Sequence, residues 1–126
     1  SLWPDQGDRQ DRLTGALEIA ARVPATVVKE DAATWLRAQL AERAEGTSTV
    51  IYHSIVMRYL TDAGRAEVRQ IIEDAGARAD ASAPIAWLQI EGTGTQEIRL
   101  QVWPGGDERV LGRCDPQARH VRWSAG

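Results

Sequence analysis

Residues 49–60 read TVIYHSIVMRYL, and the parsing of this run decides the fold. Thr49, Val50, Ile51 and Tyr52 are β-branched or aromatic, the residue types that favour a pleated strand. They do not alternate with polar residues, which predicts a strand covered on both faces, as in a parallel sheet. His53 and Ser54 then interrupt the apolar run before it resumes at Ile55. We read the two polar residues as the carboxyl end of the strand, where the chain surfaces toward solvent or ligand and turns through IVMRYL into the next element.

Working outward, DAATWLRAQLAERAEG (31–46) carries Ala32, Trp35, Leu36 and Leu40 at helical spacing, with Asp31 as a cap and Gly46 as a stop. Before it, TVVKED (26–31) is short and β-branched and predicts a buried strand ending at Lys29 or Glu30. Pro24 closes an earlier helix from Asp8 to Arg22, with Leu13, Ala16, Leu17 and Ala20 on one face. On the other side, Thr61 caps a helix that turns Val68, Ile71, Ile72 and Ala75 inward and stops at Gly76, and APIAWLQIE (83–91) forms a further strand. Three strands joined through helices by right-handed crossovers lie parallel, with helices packed on the sheet. After Glu91 the alternating runs EIRLQVW, RVLGRC and HVRW are separated only by turn sequences, which predicts an antiparallel meander. In its first strand Ile98, Leu100 and Val102 share one face, and Arg99, Gln101 and Trp103 the other. Trp87 and Trp103 fall on neighbouring strands, where they are expected to stack as core or interface.

Bulk properties narrow the function. A chain of 126 residues fits one domain. A net charge of −3 with interspersed signs offers no basic stripe for phosphates, so nucleic acid is not an expected partner. The longest charge-free run, 46–57, is too short for a membrane span. Cys114 is the single cysteine, which excludes an internal disulfide and a thiolate zinc site and suits a reducing cytoplasm.

Ligands of open α/β sheets bind outside the carboxyl ends of parallel strands. That rule selects Lys29, Glu30 and Asp31 on the first strand, His53 and Ser54 on the second, and Glu91 on the third. Asp31 is accounted for by capping, with acceptance from a ligand amine or hydroxyl as the alternative. His53 suits either a structural hydrogen bond or acid–base work. Ser54 does not complete a catalytic triad with His53, because adjacent strand residues face opposite ways, and no Gly-x-Ser-x-Gly elbow surrounds it. His53 and His120, the two histidines, form no recognisable metal signature, and GTGT (92–95) precedes a strand rather than a helix, which makes it a turn.

The phrases LWPDQ, VIYHSIVMRYL, AWLQIE and VWPGG with RVLGRCDPQARHVRW together resemble an uncharacterised bacterial family, domain of unknown function 2332. The likeness covers essentially the whole chain, which resembles the carboxyl-terminal portion of longer proteins. That family is in turn similar to class I S-adenosylmethionine-dependent methyltransferases. The resemblance implies a partial Rossmann-like, three-layer α/β fold, a parallel βαβαβ unit followed by the meander. It implies S-adenosylmethionine as cofactor of the longer protein, with Asp31 near the adenine, His53 and Ser54 beside the methyl donor, and His53 as the candidate catalytic group. It also puts the glycine-rich first strand, the partner of 49–53, upstream of Ser1, so this segment alone is expected neither to bind the cofactor nor to react. Either 26–30 then pairs directly with 49–53, or a second copy completes the edge as a homodimer. A non-catalytic α/β binding or assembly module is the alternative function.

Overall fold

The computed structural model describes residues 7–42 and 45–124; the LWPDQ motif lies outside them. The fold is mixed α/β, with three helices and one five-stranded sheet. In chain order the elements are α1 (Gly7–Arg22), α2 (Ala32–Gln39), β1 (Thr49–Ser54), a 3-10 turn (Met57–Tyr59), α3 (Asp62–Ala77), β2 (Ile85–Glu91), β3 (Gln96–Trp103), β4 (Glu108–Cys114) and β5 (Val121–Trp123). The strands lie side by side in sequence order, β1 parallel to β2 and the rest antiparallel. No helix among the described residues is long and apolar enough to cross a membrane.

The meander and one βαβ unit are as expected, but the parallel set has two strands rather than three. Residues 24–29 take no regular structure, and 26–30 do not pair with 49–53, because β1 is hydrogen-bonded to β2 alone. Val27 is 91 % exposed. A strand exists only through a ladder, and four β-prone residues cannot form one without a neighbour.

One face of the sheet carries the core. α2 and α3 pack on each other, and α3 reaches β2 and β3. Ile72 and Trp87 are fully enclosed, with Leu36, Leu40, Val68, Ala75, Ile85 and Trp103 around them. Complete burial of a side chain like Ile72 stabilises the fold by about 1.5–3 kcal/mol. Trp87 and Trp103 share this core without facing each other in register, since Trp87 pairs with Gln101 and Trp103 with Ile85. The guanidinium of Arg78 joins the two helix ends by donating to Asp74 O and Leu40 O, and Arg37 pairs with Glu67 across the same interface.

Three expectations change in detail. β1 is covered on one face only: Ile51 and His53 point toward the helices, while Val50, Tyr52 and Ser54 are exposed. α2 ends at Gln39, with Leu40 as its C-cap, rather than at Gly46; Ala33, Leu36 and Leu40 are buried and Trp35 is 39 % exposed. α3 runs to Ala77, one residue past the expected stop at Gly76, where a Cβ would sit 2.4 Å from the Trp103 ring. The glycine's absence of side chain lets the helix seat on that indole.

Candidate functional site

The end of β1 departs from regular strand conformation. Ile55 follows Ser54 with φ at 54°, a left-handed conformation that a β-branched residue rarely adopts. It is held there by its N–H donating to Ile90 O at 2.9 Å. Glu91, at the end of β2, then fastens the turn: its Oε1 accepts from Val56 N at 2.8 Å, Met57 N at 3.1 Å and His53 Nδ1 at 2.9 Å. From α3, Arg65 donates to the carbonyls of Met57 and Leu60 at 3.0 and 2.5 Å. A carboxylate thus satisfies the turn's donors and a guanidinium its acceptors.

The His53 side chain is 11 % exposed, so it faces inward rather than solvent as its polarity suggested. An ionised carboxylate only accepts, so Nδ1 carries the proton and, in the neutral ring, Nε2 is left as an acceptor. Nε2 is buried and has no hydrogen-bond partner. The ring lies 5.8 Å from that of Trp87, tilted by 51°, and the Arg69 guanidinium is 5.1 Å from the Trp87 ring centre.

His53 lines a cleft of about 510 Å³ between α2, β1 and α3, walled by Trp35, Leu36, Ile51, Met57 and Ile72. The cleft follows the unpaired edge of β1. Thr49 N and Ile55 N point to β2, donating to Pro84 O and Ile90 O. By strand alternation, the backbone groups of Val50, Tyr52 and Ser54 face the open edge.

The sequence matches, over residues 1–123, the family described as "Uncharacterized protein conserved in bacteria (DUF2332)". The chain belongs to this family. No curated protein and no solved structure matches it.

In this DUF2332 chain the residues selected by the strand-end rule are divided. His53 and Glu91 are brought into direct contact. Asp31 is consumed as the cap of α2: its carboxylate accepts from Thr34 N at 3.0 Å and Thr34 Oγ1 at 3.2 Å. Those bonds, the backbone one foremost, hold its carboxyl below the usual range. Ala32, next to it, lines the cleft although Asp31 does not. Ser54 turns to the open face of the sheet, and Lys29 and Glu30 lie in the stretch without a strand. The pairing of Glu91 with His53 was the missing element. Its signal is register: His53 aligns with Gln89, and Glu91 stands two residues on along the same face.

Beyond α3 the same face of the sheet is ionic. Glu97 accepts from Arg99 Nε at 3.1 Å and from Arg113 Nη2 at 2.9 Å, and Arg99 also reaches Glu108 at 3.2 Å. The Arg99 hydrogen bond, then that of Arg113, lowers the Glu97 carboxyl pKa. Among the described residues no three His, Cys, Asp or Glu side chains are grouped to hold a metal ion.

Proposed function

We propose that the chain is the carboxyl-terminal part of a methyltransferase-like domain. A further strand laid against β1 completes its sheet, and a cofactor of the S-adenosylmethionine class then lies at the mouth of β1. The observation that carries this reading is the unpaired edge of β1 beside an apolar cleft. That is where the resemblance calls for a glycine-rich strand, and exposed edges of this kind recruit one. The groups present suit part of such a ligand. The apolar wall accepts a flat ring, but among the described residues lining the cleft there is no carboxylate for ribose hydroxyls. Asp31 is already engaged by Thr34. The cofactor would supply the transferable methyl group; His53 and the walls of the cleft would contact and orient it. This segment alone therefore binds it weakly and does not turn over.

Calorimetric titration of S-adenosylhomocysteine tests the reading. A longer family member that carries a glycine-rich strand and helix upstream gives saturable heat and a raised unfolding temperature, and the present chain gives neither. No heat with the longer protein overturns the proposal.

A non-catalytic binding or assembly module is the second reading, and Glu91 favours it. Three protein donors already converge on its Oε1, so the carboxylate is used in holding the turn. In that reading the β1 edge of a second copy completes the sheet as a homodimer, visible as a doubled mass in light scattering.

A further inference from the structure

We propose that two copies of the chain join edge to edge through β1, antiparallel about a two-fold axis at Tyr52, and that Ile51 of the partner subunit closes the cleft beside β1. The inference rests on the assembly reading above and adds the register and the residue that enters the cleft. The two edges of the sheet are unlike. β5, at one end, has three residues with Arg122 at its centre, and short, charged strands resist further pairing. β1, at the other end, has six residues, with no charge and no proline from Thr49 to Ser54. Such a strand is fit to be its own partner, because antiparallel self-pairing sets no like charges opposite one another. The pairing is isologous, so one contact uses up the open edge of both copies and the assembly stops at two.

The register follows from which backbone groups are already bonded. Thr49 N and Ile55 N donate to β2, so the odd-numbered residues of β1 bond inward, while Val50, Tyr52 and Ser54 turn N–H and C=O outward. Across an antiparallel seam, outward-facing residues exchange hydrogen bonds only with outward-facing residues. An axis at Tyr52 sets Tyr52 opposite its own copy and Val50 opposite Ser54, so all three are bonded. An axis at Ile51 leaves Ser54 facing a residue outside the strand, and an axis at His53 does the same to Val50. The side chains suit this register. On the open face, Val50 and Tyr52 are 61 % and 58 % exposed, and the seam gives Tyr52 an aromatic neighbour. On the helical face it places Ile51 of the partner subunit opposite His53, where the apolar cleft of about 510 Å³ has room for it.

Light scattering on a dilution series tests the seam. The unaltered chain is expected to show the mass of two copies, falling to one on dilution. Tyr52→Pro removes an N–H that points away from β2, a change an edge strand tolerates, and should raise the dimer dissociation constant about tenfold or more through the lost hydrogen bonds. Tyr52→Lys alters an exposed side chain, so the far-ultraviolet spectrum stays unchanged; it sets two ammonium groups together on the axis and weakens the dimer most at low salt. The double variant Val50→Lys with Ser54→Glu sets opposite charges across the axis and should associate more tightly at low salt than at high salt. A chain that stays monomeric at every concentration overturns this inference together with the homodimer reading. A dimer whose affinity both Tyr52 variants leave unchanged, or a double variant indifferent to salt, overturns the inference alone, because the chain then assembles through another surface or register.

Discussion

α1 and α3 are each sixteen residues long, and each carries apolar residues at helical spacing. α3 buries Val68, Ile72, Ala75 and Gly76 against the sheet; α1 buries nothing, and its Leu17 and Ile19 are 61 % and 57 % exposed. The difference teaches that periodicity specifies a helix and its stripe, but not what the stripe meets. α3 lies between two strands that pair, so closing the β1–β2 ladder brings it onto the sheet. α1 is joined to the rest through 24–31, which forms no ladder and so sets no position for the helix before it.

The largest effect expected from this contrast is in paired core truncations. Ile72→Ala should lower unfolding free energy by about 2–5 kcal/mol, the range for a large buried aliphatic side chain. Leu17→Ala should stay within about 0.5 kcal/mol, as for an exposed site. Urea unfolding of the two variants measures both. A loss for Leu17→Ala comparable to that of Ile72→Ala would break the comparison, because it would mean that α1 is covered in solution.

The glycines of the two helices sharpen the same point at smaller scale and with opposite sign. A methyl group at Gly76 meets the Trp103 indole at 2.4 Å, whereas nothing lies within 4 Å of the corresponding position at Gly15. Gly76→Ala should therefore destabilise the protein by about 1–3 kcal/mol through overpacking. Gly15→Ala should raise helix stability by up to about 1 kcal/mol, the difference in propensity between the two residues. The first is read from urea midpoints and the second from the far-ultraviolet helical signal on heating. A neutral Gly76→Ala would mean that α3 can lift from the sheet without cost.

What was legible in the sequence follows the same division. Alternation in EIRLQVW gave the two faces of β3 correctly, because a two-residue period is local and hairpins place neighbouring strands together. The start of α3 was legible in Thr61, whose hydroxyl accepts from Gly64 N at 3.1 Å. Residues 26–30 misled, since β propensity reports fit to a half-buried surface and cannot report whether a neighbour exists. At the site, the break in an apolar run points to His53, while the strand-end rule takes in Ser54 as well, although alternation turns it to the opposite face. Glu91 lies 38 residues away and was identified only as a strand end; its contact with His53 depends on the β1–β2 register, which no local pattern encodes.

The smallest expected effect concerns acid stability, and it tests whether the packed part of the molecule is also the part that is electrostatically tied. Glu97 bridges β3 to β4 through Arg113, its register partner, and is held by Arg99 on its own strand. The Arg99 hydrogen bond, followed by that of Arg113, depresses its pKa in the fold, so the folded state releases this proton more readily than the unfolded chain. The sign is fixed by linkage: the stabilisation is complete above the ordinary glutamate pKa of about 4.3 and is lost as pH falls through the lowered folded value. Glu97→Gln removes the titration. Between pH 7 and pH 3 its urea midpoint should therefore fall less steeply than that of the unaltered chain, with the two curves converging at the acid end. Parallel curves would assign the acid loss to other carboxylates, Asp115 among them, whose pKa is lowered first by the His120 N–H.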